Sequence, residues 1–500
     1  MIVPMLVSSF LRRATHLYGG REGVVDGPKR FTYAQFAERC RGLAEKLHAL
    51  GVRPGDRVGI VSPNSHVFLE SFYATALLGA VLVPLNYRLT PDEIGYCLEH
   101  AGARVCLADA EYTALVHTEV RVAFGGRAPA GWLALEELPG SAFEEPARDE
   151  NDLVSLNYTS GTTARPKGVM LTHRNFTVNA YNFLTHLHVQ PEDVYLHTLP
   201  MFHCNGWGGV YALTGMGVRQ VIVRAPTPEL VFPAVLEEGV TLACMAPIVL
   251  GRLVDSGLTG GSLRVVCAGA PPPASLIERM ETELGWKFLQ IYGLTETSPI
   301  ITISDRPGSS YGVRARAGCD ALGAELAVLD GDGKPVPRDD ATVGEVAVRG
   351  NMVFAGYWNQ PEETARVMQH GYFMTGDLGT WDGEGSIQLV DRAKDVIISG
   401  GENISSIEVE EVLYRHPAVQ EAAVIGVPSE EWGETPLAVV VRRSAVEAPE
   451  LRDFLRSQLA HFKVPTRYEF VEALPRTATG KLKKFELREP YWRGLSRRIH

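Results

Sequence analysis

Apolar residues at Phe36, Cys40, Leu43, Leu47 and Leu50 recur at helical steps of four and three. Thr32 and Gln35 ahead of them form a capping box, and Gly51 closes the far end, so the spacing predicts one amphipathic helix. After the turn at Pro54, Gly55 and Asp56, a strand is expected over 58–61, a helix over 67–78 and a second buried strand over 80–84. Thr90, Pro91, Asp92 and Glu93 supply an N-cap, a first-turn proline and acids for the helix dipole; that helix runs to His100, before a strand at 105–108. Strands at 220–223, 241–245 and 264–267 continue the alternation, which implies layered, mostly parallel α/β sheets.

From about residue 318 the texture changes to Gly, Pro and Asp turns between short strands at 325–329, 344–349 and 386–390, a β-rich sub-domain. Beyond Asp391 the pattern becomes a small α+β unit: a helix over 407–414 capped by Ser406, strands at 422–427 and 437–442, a helix over 450–460 and a strand at 467–471. The expected division is a large N-terminal domain over 1–391 and a small C-terminal domain over 392–500.

At 500 residues the chain exceeds the usual size of one core, in keeping with that division. A net charge of −11 argues against a nucleic-acid surface, while leaving room for nucleotides, which need only local charge. Seven scattered cysteines without a Cys-x-x-Cys pair read as reduced side chains of a cytoplasmic protein. No stretch approaches 18 uncharged apolar residues, so no membrane span is expected, although peripheral membrane contact stays open.

The densest chemistry lies at 158–169, behind the apolar run 153–156. Hydroxyls of Thr159, Ser160, Thr162 and Thr163 stand beside backbone N–H groups freed by Gly161, and Lys167 adds a mobile cation. That is equipment for polyphosphate, but the order of residues is not that of a P-loop. The segment resembles the phosphate signature Ser-Gly-Thr-Thr-Gly-x-Pro-Lys-Gly of the adenylate-forming superfamily: acyl- and aryl-CoA synthetases, luciferases and peptide-synthetase adenylation domains. It departs from that signature at Ala164, at a cost of about 1 kcal/mol if the position needs positive φ.

Five further motifs follow in the superfamily's order. Pro200 to Trp207 resembles the substrate-side motif, implying His203 beside the carboxylate and α-phosphate, with Cys204 and Trp207 on the acyl side; Trp207 reads either as an aromatic gate with Gly206, Gly208 and Gly209 leaving it room, or as a packing residue. Gly269, Ala270 and Pro271 resemble the adenine turn. The run Gln290, Tyr292, Gly293, Thr295, Glu296 resembles the nucleotide motif, implying Tyr292 on adenine, Thr295 at the α-phosphate, and Glu296 with Thr159 at Mg²⁺. Asp377 and Arg392 would meet the ribose, Lys394 would be a hinge, and Gly400 and Gly401 would line the pantetheine tunnel. Lys481 would bridge carboxylate and phosphate oxygens during adenylation, within a basic tail that suits either phosphate docking or solubility.

The resemblance implies a mobile C-terminal domain and an AMP-forming acyl-CoA synthetase. It would use ATP, CoA and Mg²⁺ on a carboxylic acid, a medium- or long-chain fatty acid by the 203–207 motif. An aryl-acid–CoA ligase, or an acyl-AMP ligase serving a carrier protein, is the alternative. Enzymes of this kind are often homodimers.

Overall fold

The computed structural model describes residues 3–159, 165–392, 395–399, 402–429, 432–476 and 482–493. Ser160, Gly161, Thr162, Thr163, Lys394, Gly400, Gly401 and Lys481 lie outside them. Eight strands form one sheet in the order Gly356–Tyr357, Lys167–Thr172, Leu153–Thr159, Val81–Leu85, Arg57–Val61, Val105–Asp109, Val120–Phe124, Leu133–Ala134. A second sheet of nine runs Cys319–Asp320, Ile300–Ser304, Lys287–Gly293, Arg264–Cys267, Leu242–Met245, Val194–His197, Arg219–Ile222, Glu22–Asp26, Lys29–Thr32. Both are parallel through the middle, as the alternation predicts; the nine-stranded sheet ends in the antiparallel pair Glu22–Asp26 and Lys29–Thr32, and toward its other end, as in the eight-stranded sheet, the direction changes: at Lys287–Gly293 with Ile300–Ser304, and at Leu153–Thr159 with Lys167–Thr172. The phosphate-like and nucleotide-like motifs lie at those two changes of direction.

The main core is shared by the two sheets. Every residue of the helix His66–Leu78 is buried, which explains why its pattern is apolar all round rather than striped. It starts one residue ahead of the expected position because the Ser65 side chain caps it by accepting from Phe68 N. Glu70, within this helix, takes a 2.5 Å ion pair from Arg39, since a buried carboxylate without a partner would be costly. The capping box at Thr32 forms as expected, and the expected N-cap at Thr90 is itself a capping box with Glu93.

The β-rich portion is a separate antiparallel sheet built on Ala324–Leu329, Gly344–Gly350 and Tyr372–Trp381, with Ile387–Arg392 pairing Tyr372–Trp381. The C-terminal unit is a five-stranded sheet centred on Val419–Ser429 and Gly433–Arg442, longer than the apolar runs alone predict because the hairpin ladder continues through Glu434 and Pro436. One expectation there is corrected. The helix Ser406–Tyr414 is capped by Ser405, whose hydroxyl accepts from Glu408 N. Ser406 is instead engaged by Asp391: Asp391 Oδ2 accepts from Ser406 N at 2.8 Å and from its hydroxyl at 2.5 Å. The buried ammonium of Lys484 donates to the same hydroxyl and pairs with Glu410 at 2.8 Å.

The 203–208 segment has a backbone that the sequence reading does not anticipate. Cys204, Asn205, Gly206, Trp207 and Gly208 have φ of 44°, 52°, 56°, 58° and 74°, a left-handed turn in which three side chains sit where L-residues are disfavoured by about 1 kcal/mol each. Asn205 holds it. Its Oδ1 accepts from Asn157 Nδ2 at 3.1 Å and its Nδ2 donates to the Tyr211 hydroxyl at 3.3 Å, with the Ser155 hydroxyl 2.7 Å from Asn157 Oδ1. Asn179 Nδ2 donates to the Trp207 carbonyl at 3.0 Å. A Cβ at Gly208 would stand 2.2 Å from Asn179 Nδ2, and one at Gly209 3.2 Å from the Phe183 ring, so the small residues let the chain pass close to both. Trp207 is itself buried.

Replacing Asn205 with Leu leaves the Asn157 amide and the Tyr211 hydroxyl without their buried partner and puts a bulkier residue in the left-handed region, so a loss of about 3 kcal/mol is expected. A urea midpoint equal to the parent's would show that Asn205 does not hold the turn.

Two buried histidines make stability pH-dependent. Burial, with the nearby Arg148 charge, pushes His173 down to about 3, and burial pushes His197 down to about 4. Both are neutral in the fold and gain a proton on unfolding below about pH 6.5, so their contribution is full above that pH and shrinks as pH falls, by about 2 kcal/mol each between pH 7 and pH 5. His173 Nδ1 accepts from Val7 N at 3.3 Å, an interaction a glutamine Oε1 can retain. His173→Gln is therefore expected to lessen the fall in melting temperature between pH 7 and pH 5; an identical fall in parent and variant would contradict it.

Candidate active site

Thr159 and Lys167 are register partners at the open end of the hairpin whose connection carries the hydroxyl-rich loop. Strand pairing thus fixes where that loop begins and ends. Lys167 Nζ lies 2.6 Å from Glu363 Oε2 and 5.0 Å from the centre of the Tyr357 ring.

The second hairpin supplies the nucleotide-like motif. Gly293 passes so close to the next strand that a Cβ there would lie 1.5 Å from the Pro299 carbonyl oxygen, so only glycine fits. The turn that follows presents Thr295, which is buried, and Glu296, which is half-buried. The Tyr292 hydroxyl donates to Asp377 Oδ2 at 2.7 Å, bringing the expected adenine and ribose residues together. Asp377 faces Arg392 across the strand pair, which puts the backbone of Arg392 at the same place. Gln290 is buried within the sheet opposite Ser304.

The substrate-side loop meets this turn directly. His203 is half-buried at the entrance to the left-handed turn, and Cys204 Sγ lies 4.0 Å from the Thr295 carbonyl. Gly269, Ala270 and Pro271 line a cleft of about 1180 Å³ between the N-terminal portion and the C-terminal unit, whose far wall includes Ser405, Glu408 and Arg476. Four of the described basic residues near the C-terminus are tied to carboxylates: Arg476 to Glu421, Lys483 to Glu486, Lys484 to Glu410 and Arg488 to Asp395. These four positive charges are thus partnered within the C-terminal unit.

Glu296 Oε1 accepts from the Tyr357 hydroxyl at 2.9 Å, and an ionised carboxylate has further lone pairs to offer a cation. Among the described residues no three His, Cys, Asp or Glu side chains form a metal cluster. One carboxylate with hydroxyls nearby fits Mg²⁺ held mainly by phosphate oxygens and water, the usual preference of that ion. Six cysteines are buried and Cys319 is half-buried, all free; burial pushes Cys97 and Cys244 up to about 12, so they are poor nucleophiles at neutral pH.

Sequence reasoning missed Tyr357, Glu363, Asn179 and the Ser155–Asn157–Asn205 network.

Residues 11–358 match the AMP-binding enzyme family and residues 408–481 match the AMP-binding enzyme C-terminal domain. The chain is 38% identical to a long-chain-fatty-acid–CoA ligase of Thermus thermophilus, over 96% of this chain and 95% of that one. It is 34% identical to a peroxisomal benzoate–CoA ligase of Arabidopsis thaliana, over 97% and 93%. Its fold superposes on the crystal structure of an anthranilate CoA ligase in complex with anthranoyl-AMP with a TM-score of 0.91, at 27% identity and 98% coverage of both chains. Among the described residues no helix is long and apolar enough to cross a membrane. With its fold, its two family matches and these relatives in agreement, the chain belongs to the AMP-binding enzyme family, among the AMP-forming acyl- and aryl-CoA ligases.

Proposed function

We propose that the protein joins a medium- or long-chain fatty acid to CoA through an acyl-adenylate. The observation that carries the adenylation half is the convergence on residues 292–296: Tyr292 bonds to Asp377, Thr295 meets the 203–204 loop, and Glu296 is linked through Tyr357 to Lys167. Nucleoside, acid and polyphosphate groups would each meet one part of that short segment.

A thiol cannot displace oxide from a carboxylate at neutral pH, so the acid must first gain a better leaving group. The carboxylate oxygen attacks the α-phosphorus of ATP; the new C–O–P link forms as the bond to pyrophosphate breaks. Thiolate sulfur then attacks the acyl carbon, and AMP leaves with the bonding electrons. In this reading Tyr292 and Asp377 orient the nucleoside, His203 stabilises negative charge on the carboxylate and α-phosphate, and Lys167 draws the pyrophosphate oxygens away. Mg²⁺, held by Glu296 and the Thr159 hydroxyl, would add charge neutralisation at the phosphates. Ser160, Gly161, Thr162 and Thr163 would donate to the same phosphates, and Lys481 would neutralise charge where carboxylate and phosphate meet.

We place the domain boundary at residues 391 and 392, with Lys394 as pivot and Gly400 and Gly401 on the thiol path. Since Lys481 and Gly400 both follow the pivot, rotation about Lys394 would present them in turn. The fatty-acid reading rests on the apolar surroundings of the acid side, where Phe202, Trp207 and Val210 are buried in the largest hydrophobic cluster. The benzoate and anthranilate ligases among its relatives favour an aryl acid as the second reading.

Lys481→Ala is expected to lower acid-dependent ATP–pyrophosphate exchange by roughly 10²-fold, the scale of one lost transition-state charge contact, while pre-formed acyl-AMP still reacts with CoA; equal loss in both half-reactions would remove Lys481 from adenylation. Across a series of straight-chain acids, kcat/KM is expected to rise with length, since each buried methylene contributes about 0.8 kcal/mol, and Trp207→Ala should alter that profile. Benzoate or cinnamate outrunning every straight-chain acid would establish the aryl reading instead.

A further inference from the structure

We infer that Tyr357 is a positioning residue that holds the phosphate-side lysine and the metal-side carboxylate in one fixed relation, its ring against Lys167 and its hydroxyl on Glu296. The inference rests on the proposed roles of those two residues. Lys167 and Glu296 are 129 positions apart in sequence, on hairpins of different sheets, so their relative placement needs a physical link. Tyr357 supplies it from both sides: Lys167 Nζ is 5.0 Å from its ring centre, and its hydroxyl donates to Glu296 Oε1 at 2.9 Å.

The tyrosine is itself well fixed. It is buried, and Phe354 packs edge-on against its ring at 4.9 Å. The strand Gly356–Tyr357 pairs with the lysine's own strand, Tyr357 opposite Val169, and Trp358 N donates to the Gly168 carbonyl at 2.8 Å. Three residues upstream, Phe354 N donates to the Glu296 carbonyl at 2.8 Å. The short segment from Phe354 to Trp358 is thus stitched to the phosphate hairpin at one end and the nucleotide turn at the other. Burial, together with the Glu296 charge, raises the pKa of the phenol, so it remains a donor across the neutral range.

Glu363 completes the arrangement. Its carboxylate pairs with Lys167 at 2.6 Å and also with Arg366. When phosphate oxygens take Lys167, Glu363 keeps Arg366 as partner, so the exchange strands no charge. The lysine is therefore held ready over the tyrosine ring, and the carboxylate on the phenol, before nucleotide arrives; an error of about 1 Å between such groups costs on the order of 10²-fold in rate.

The test is calorimetric titration of ATP into parent, Tyr357→Phe and Tyr357→Leu proteins, with and without Mg²⁺ and with no carboxylic acid present. Tyr357→Phe keeps the ring and loses the hydroxyl, so ATP affinity without Mg²⁺ should stay within about twofold of the parent while the tightening produced by Mg²⁺ shrinks by roughly fivefold or more, the scale of a hydrogen bond to a charged group. Tyr357→Leu should lose affinity in the absence of Mg²⁺ as well, by several-fold. A parental Mg²⁺ effect in Tyr357→Phe overturns the inference, and so does an equal loss with and without Mg²⁺, which would mark a packing role. Should Tyr357→Leu fail to fold, the Tyr357→Phe comparison alone decides. A parent that does not bind Mg–ATP would overturn the proposed function itself, a result distinct from a binding-competent parent with an indifferent phenylalanine variant.

Discussion

The close passage of Gly293 against the Pro299 carbonyl is the constraint on which the site depends. A Cβ there would stand 1.5 Å from that oxygen, so the strand Lys287–Gly293 can turn back as Ile300–Ser304 only with glycine at this point. That tight return compresses Tyr292, Thr295 and Glu296 into five residues and points them at three neighbours: Asp377 in the β-rich sheet, Cys204 in the substrate-side loop, and Tyr357 beside the phosphate hairpin. Any side chain at residue 293 would push the strands apart and separate all three contacts together.

The parts of the site legible in the sequence are those whose chemistry is local. A hydroxyl-rich loop ending in lysine, a glycine-bearing turn followed by threonine and glutamate, and helix caps such as Thr32 and Thr90 each declare themselves within a few residues, and the strands and helices around them follow from apolar spacing. What the sequence hid is long-range and carried by single polar residues. Tyr357 reaches Glu296 across 61 positions and Glu363 reaches Lys167 across 196, with no local pattern to single either one out. Asn205 and Asn157 read as ordinary polar residues until burial joins their amides in one network with Ser155 and Tyr211.

Glycine at residues 206 and 208 serves a left-handed backbone, and Asn179 and Phe183 stand close to where Cβ atoms at 208 and 209 would lie. One misreading has a specific cause. Ser406 has the right spacing to cap its helix, yet Asp391 takes it, leaving the cap to Ser405. That exchange ties Asp391, on the strand Ile387–Arg392, to Ser406, Lys484 and Glu410 beyond it. Separating the strand Ile387–Arg392 from the helix Ser406–Tyr414 would therefore break both Asp391–Ser406 bonds.

The left-handed turn at Cys204–Trp207 bears on how this scaffold can be diversified. Its backbone tolerates few residue types, and the amide of Asn205 answers to Asn157 and Tyr211, so random replacement along 204–208 would mostly yield unfolded protein rather than new acid preferences. A combinatorial library aimed at acyl selectivity is better placed on positions whose side chains face the acid but whose backbone is relaxed, keeping the turn as an invariant frame.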